Sequence, residues 1–185
     1  MTSSTFLRYW PTVLSLLMMA CASTSRVSEF RFNEEYFTSR NGLLRYRLPV
    51  GWLNASNDSL SSNAAVWLVR SDFAATLSVK EVVIDAETRR EVQRTGLKRV
   101  AELTLALASG ERGVSIVHPP QLSSLGRGTA CTYEYMTGHP NDRVHVVLID
   151  TGTIVYEVSL LMTEKAGSTA DVVALQEAFV RNLAW

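Results

Sequence analysis

The side chains that could do chemistry in this chain are few and scattered. They are two cysteines, Cys21 and Cys131, three histidines, His118, His139 and His145, and one aspartate, Asp150, in the run Ile149-Asp150-Thr151-Gly152-Thr153. A zinc site needs three or four ligands converging, commonly at close helical or loop spacing. His118 precedes Pro119-Pro120, His139 precedes Pro140, and His145 interrupts an apolar run, so only tertiary chance could bring the three together. No metal site is expected. Cys131 sits in an apolar strand and reads as a small core hydrophobe, because a reactive thiol wants an accessible, electropositive niche. The chain has no Gly-x-Ser-x-Gly turn, no Walker pattern and no Gly-x-Gly-x-x-Gly, the arrangements that expose a nucleophile or cradle phosphate. Gly126-Arg127-Gly128 reads as a loop. No cofactor is expected.

Asp150 needs closer weighing. Apolar residues followed by Asp-Thr-Gly-Thr resemble the active-site turn of aspartic proteases, where two aspartates share one proton and activate water. That mechanism needs a second aspartate, and the chain has no second Asp-Thr-Gly, although a homodimer could supply one. It also needs a flap hairpin and a further apolar-apolar-Gly strand. Residues 154–185 read as one strand and one helix instead. A tight turn between two strands, favoured by the backbone preferences of Asp and Gly, is the expectation. Its carboxylate is expected to stand alone in water, no residue is assigned a catalytic role, and the chain reads as a non-enzyme. An enzyme with a non-local site, Asp150 its one lead, is the alternative.

Cys21 belongs to an address. After Arg8 and Pro11 comes an uncharged apolar run, residues 13–20. A membrane-spanning helix needs about 20 apolar residues, so this shorter run reads as the core of a signal segment. Met18-Met19-Ala20-Cys21 resembles a bacterial lipobox: an apolar residue, a tolerant position, a small residue, then the cysteine that receives lipid. Leu is the commoner residue where Met18 stands. Ala20-Cys21-Ala22 also fits the small-x-small pattern of ordinary secretory cleavage after Ala22, and the blandest alternative is a cysteine that happens to lie in an apolar helix. On the lipobox reading, residues 1–20 are a lipoprotein signal peptide and Cys21 is lipidated. Residues 21–35 are the lipidated cysteine and its tether, which opens on the small polar run Ala22-Ser23-Thr24-Ser25-Arg26, and residues 36–185 form one globular domain. Several acyl chains hold a protein stably at a membrane. Ala22 rather than Asp after the cysteine matches the enterobacterial outer-membrane pattern, on the face toward the periplasm.

Composition agrees with one domain. Of 185 residues 46% are hydrophobic and 19% charged, enough for a core and too apolar for a disordered chain. Lys plus Arg and Asp plus Glu are 18 each, so no basic excess points to nucleic acid.

The elements follow from periodicity. Asn41-Gly42 marks a hairpin between residues 36–39 and 43–48, since both residues tolerate positive φ. Residues 53–63, rich in Ser, Asn and Asp, read as a mobile loop. The sequons Asn54-Ala55-Ser56 and Asn57-Asp58-Ser59 within them count as loop composition. Strands are expected over 65–69 and 75–84. A helix follows, with Thr88-Arg89-Arg90-Glu91 as a capping box, an apolar stripe through Val92, Gly96, Val100, Leu103 and Leu107, and Gly110 as its stop. Arg90, Arg94 and Lys98 read as its solvated face, with a partner patch as the alternative. Four strands, over 114–118, Thr129–Met136, 144–149 and 154–162, fill the second half. The run 144–149 is apolar on both faces, which predicts a sheet covered on both sides. Ser168 or Thr169 caps a last helix with Val172, Leu175, Phe179 and Leu183 on one stripe.

This order predicts an α+β fold, an antiparallel sheet flanked by helices. With Leu48-Pro49-Val50-Gly51-Trp52 closing an early strand and an aromatic-rich last helix, residues 36–185 resemble the PsbP-like family and its α/β/α sandwich. That family includes the extrinsic photosystem II subunit, a Ran-binding nuclear protein and several bacterial lipoproteins. Its members share a shape while binding unrelated partners, so the resemblance implies a non-enzymatic binding or accessory role and carries no site residue. The expectation is a binding or assembly module of the bacterial cell envelope, held to the membrane through acyl chains on Cys21, with another envelope protein as partner.

Overall fold

A computed structural model describes residues 30–61, 63–110, 113–125, 128–139 and 142–185. The signal segment, Cys21 and most of the tether lie outside the described residues. Strands β1 (Phe32–Thr38) and β2 (Arg45–Pro49) form the hairpin announced by Asn41-Gly42. Gly42 takes φ +75, and the Asn41 side-chain oxygen accepts from the Ser39 hydroxyl at 2.7 Å and from the Leu43 N–H at 3.2 Å. β1 begins at Phe32, so residues 32–35, read from sequence as tether, are strand.

Residues 53–61, read from sequence as part of a loop, contain regular structure. β3 (Trp52–Asn54) opens the stretch, and a 3-10 turn at Ser59–Ser61 closes it. Ser56 and Ser61 are buried. The Ser56 hydroxyl donates to Asn54 Oδ1 at 2.7 Å and accepts from the Trp67 N–H at 2.9 Å, while the Ser61 hydroxyl donates to the Asp58 carbonyl. Short hydroxylated side chains thus replace ladder bonds that the backbone lacks.

β4 (Val66–Arg70) and β5 (Ala75–Val82) follow as expected. In the turn joining them Arg70 grips both oxygens of Asp72 at 2.7 and 2.8 Å, and the Ala74 N–H donates to the same carboxylate at 3.1 Å. The Arg70 hydrogen bonds, then the Ala74 N–H, hold the Asp72 carboxyl down at about 2, from an ordinary 3.8. A folded-state value below the unfolded one means that stabilisation is present above the ordinary value and disappears as pH falls through about 2. Carboxyl chemical shifts of Asp72 are therefore expected to titrate near pH 2. A midpoint near 3.8 would show that Arg70 does not hold it.

The long helix expected next is two helices, α1 (Ala86–Thr95) and α2 (Lys98–Ser109). Asp85, not Thr88, is the cap: its carboxylate accepts from the Thr88 N–H at 2.7 Å. Gly96 breaks the run at φ +81, and a Cβ there would come within 3.5 Å of Leu122. The break rotates the second helix. Leu97, Val100, Ala101 and Leu105 face the sheet, while Leu103 and Leu107 of the expected stripe point to solvent. Gly110 ends α2 as read.

β6 (Ser115–Ser124), β7 (Thr129–Met136), β8 (Arg143–Asp150) and β9 (Val155–Met162) complete an antiparallel seven-stranded sheet of order β3-β4-β5-β9-β8-β7-β6. Its edges are blunted. β3 has three residues, and β6 carries Pro119-Pro120 and two register shifts, features that discourage edge-to-edge pairing. The last helix, α3 (Thr169–Asn182), starts at Ser168, whose hydroxyl accepts from the Asp171 N–H at 3.3 Å.

Both faces of the sheet are covered, as the apolar run of β8 predicts. Val147 and Ile149 join the core under α3 and the β1–β2 hairpin, together with Tyr46, Trp52, Leu77 and Phe179. Val144, Val146 and Leu148 join the core under α1 and α2, with Cys131, Tyr133 and Leu105. The Phe179 and Tyr46 rings meet at 5.9 Å, and Ala184 bridges to Arg45, so α3 and the hairpin pack as one layer. No described helix is long and apolar enough to cross a membrane.

Candidate functional site

A row of polar side chains crosses β6, β7 and β8 on the face of the sheet that α3 covers. His118 on β6 stands opposite Glu134 on β7, and Glu134 stands opposite His145 on β8. Residues directly opposite share a sheet face, so the three form one row, and Arg143, two residues before His145, projects to the same side. Glu134 is 5% exposed. Its carboxylate meets His118 Nδ1 at 2.9 Å and Arg143 Nη1 at 3.3 Å. His145 is taken up by α3: its Nδ1 lies 2.6 Å from Gln176 Oε1. The Gln176 amide nitrogen donates to the Val158 carbonyl at 2.8 Å and the His145 carbonyl at 3.1 Å. With both amide hydrogens spent, Gln176 Oε1 is the acceptor, which assigns the proton to His145 Nδ1.

Two of the three histidines, expected to lie apart, therefore share a row. The sequence hid this because the register of β6 depends on how Pro119-Pro120 is accommodated. His139 stays outside, in the β7–β8 turn, its N–H on the Thr137 hydroxyl at 3.2 Å. The described residues contain no group of three His, Cys, Asp or Glu side chains that could hold a metal ion. The row contains a buried acid matched by a cation and an imidazole, but no nucleophile beside a base. Its hydrogen bonds join β6, β7, β8, β9 and α3, which makes it a clamp on the fold.

Asp150 ends β8 where the β8–β9 turn begins, and it does not stand alone. Its Oδ1 meets Arg89 of α1 at 2.8 Å and accepts from the Gly152 N–H at 3.0 Å, with the side chain 15% exposed. Arg89 also donates to the Thr153 carbonyl at 2.9 Å. Proton sharing of the protease kind requires a second carboxyl at hydrogen-bonding distance; the group facing Asp150 is a guanidinium. Cys131 is fully buried, and burial pushes its thiol up to about 11, which suppresses the thiolate form on which cysteine chemistry depends. Of the expected basic face, Arg94 pairs with Glu91 at 2.8 Å, and Lys98 belongs to the second helix.

Two surface features escaped the sequence. A shallow cleft of about 300 Å³ runs between the β1–β2 turn and the sheet, lined by Arg40, Asn41, Asn63, Ala64, Ala65 and Glu81. At one end of the sheet, Val50, Leu53 and Phe73 are each more than half exposed.

No protein-family model matches the chain, and no curated protein matches it. Solved structures do. The chain is similar to the solution structure of cyanobacterial PsbP (CyanoP) from Synechocystis sp. PCC 6803, with TM-score 0.54 and 14% identity over 81% of this chain and 91% of that one. The fold is PsbP-like. The Ran-binding protein Mog1p of Saccharomyces cerevisiae matches with TM-score 0.50 and 15% identity, over 83% of this chain and 96% of its own. A crystal structure from Bacteroides thetaiotaomicron VPI-5482 matches at TM-score 0.53 and 14% identity over 81% of this chain, which spans 47% of that longer one. At such identities the likeness is one of fold. The PsbP-like fold and the α+β class expected from Pro49-Val50-Gly51-Trp52 and the element order are what the structure contains.

Proposed function

We propose that this chain is a non-enzymatic binding or assembly module, held at the bacterial cell envelope by lipid on Cys21. The observation that carries the first half is where the polar chemistry goes. Glu134 and Gln176 spend their hydrogen-bonding atoms on joining elements of the fold, Asp150 meets the Arg89 guanidinium through Oδ1, and Cys131 is sealed in the core. Asp150 borders a narrow pocket with Thr129, Ile149 and Trp185, and among the described residues no basic side chain or second carboxyl side chain lines it. The comparison structures support the same reading, since one is described as a Ran-binding protein and one as cyanobacterial PsbP. The second half rests on Met18-Met19-Ala20-Cys21, with Ala22 favouring the outer membrane facing the periplasm and an envelope protein as partner.

The test is Cys21→Ser. The parent chain is expected to enter the detergent phase and to carry a diacylglyceryl and acyl mass on its N-terminal cysteine; the variant is expected in the aqueous phase. An unmodified Cys21, or a released chain starting after Ala22, overturns the anchor. A stoichiometric partner recovered from solubilised membranes supports the binding role, and a chain recovered alone contradicts it.

A further inference from the structure

The turn between β4 and β5 contains a residue disfavoured on two counts. Phe73 takes φ +58, among the described residues the one non-glycine at positive φ, and its side chain is 73% exposed. A left-handed backbone crowds any Cβ, and a bulky residue there is an outlier that glycine or asparagine would relieve. Exposing a phenyl ring to water adds a second cost. The hairpin turn asks for a left-handed backbone at this position but not for a phenyl ring on it, so the choice of Phe points to a role for the ring.

Its neighbours are of the same kind. The Ser71 N–H donates to the Gly51 carbonyl at 2.9 Å, joining this turn to the β2–β3 turn, where Val50 is 59% exposed. Leu53, one residue into β3 from the buried Trp52, is 52% exposed. The Val50 N–H in turn donates to the Arg31 carbonyl at 2.9 Å. The chain therefore enters the domain at this end, ten residues after Cys21, a tether of at most about 35 Å. Beside Phe73, the charge of Asp72 is matched by Arg70 at 2.7 Å, so the tip presents a neutral pair rather than a bare carboxylate.

We propose that Val50, Leu53 and Phe73 form a lipid-contacting tip that dips into the bilayer interface and sets the orientation of the tethered domain. The proposal deepens the membrane-anchored reading and rests on it for its setting. An acyl anchor alone holds a domain near a surface without orienting it. Tethering raises the local concentration of the tip at the lipid, so a contact too weak to recruit a free protein suffices to orient a held one. The opposite end then faces away. Val83, 91% exposed just beyond the far end of β5, lies roughly 26 Å along that strand from the tip.

The experiment couples the full chain through the Cys21 thiol to a maleimide lipid in phosphatidylethanolamine–phosphatidylglycerol vesicles with brominated acyl chains. Cys131 is fully buried, so coupling is confined to Cys21. Fluorescence added by Phe73→Trp and by Val83→Trp is measured against the unsubstituted chain on brominated and ordinary lipid. A ring buried roughly 5–10 Å into the headgroup boundary should lose about half its added signal at position 73, and none at position 83. Equal quenching at both positions, no quenching at 73, or shielding of 73 by a neighbouring chain on ordinary lipid overturns the tip. Phe73→Gly should melt at a higher temperature than the parent, and a lower melting point would show that the ring serves the fold. Because the coupling is chemical, an unlipidated Cys21 in cells would remove the natural anchor without altering these outcomes.

Discussion

Gln176→Leu is expected to destabilise the protein by about 3 kcal/mol, the largest effect of any single polar substitution proposed for it. Gln176 is fully buried, and leucine replaces it at similar volume, so little cavity forms. What is lost is the acceptor for His145 Nδ1 at 2.6 Å and the donor to the Val158 and His145 carbonyls. A buried donor left without a partner costs about 1–3 kcal/mol, and the lost bonds to the two carbonyls add to it. For a domain of this length the melting temperature should fall by about 6–12 °C. His145→Ala made in the same background should cost much less than in the parent, because the orphaned imidazole has gone. A Leu variant within about 1 kcal/mol of the parent in urea unfolding would show that the clamp between α3 and the sheet is incidental.

How much of this was legible depends on where each signal lies. β7, β8, β9 and α3 were readable because each carries its own period: alternation or a continuous apolar run for strands, a spacing of three and four for the helix. The two-sided cover of β8 followed from the same residues, since a strand apolar on both faces must be buried on both. Gly96 was readable as a glycine but not as a break, because a helix can carry one at about 1 kcal/mol; the left-handed φ of +81 that it takes there ends the helix. The Ser-rich stretch after β3 misled because a hydroxyl bonded to water and one bonded to backbone leave the same letter in the sequence. Register across Pro119-Pro120 is a tertiary outcome, so the row of His118, Glu134 and His145 could not be anticipated. Arg89 lies 61 residues from Asp150 in sequence, and no local pattern links them.

That last pair gives the second large expected effect. Asp150→Ala should cost about 2 kcal/mol, since it removes both the ion pair to Arg89 and the oxygen that accepts from the Gly152 N–H, in a site mostly withdrawn from water. Asp150→Asn should cost about half as much, because the amide oxygen can still serve the Gly152 N–H while the charge is gone. Arg89→Ala should resemble Asp150→Ala: it strands the carboxylate and frees the Thr153 carbonyl. In the double variant the two losses should fall short of additive by about 1 kcal/mol, the coupling of a partly buried pair. Additive losses would show that the pair does no more than coexist in the turn. The same variants decide between a turn and half of a shared catalytic dyad. A carboxylate facing a guanidinium at 2.8 Å has no second carboxyl with which to share a proton. The parent should therefore cleave no peptide at acid pH and bind no inhibitor of paired aspartates, and it should melt with Arg89 and Asp150 coupled. Inhibitor-sensitive proteolysis that vanishes in Asp150→Asn would reverse the assignment and make the chain an enzyme.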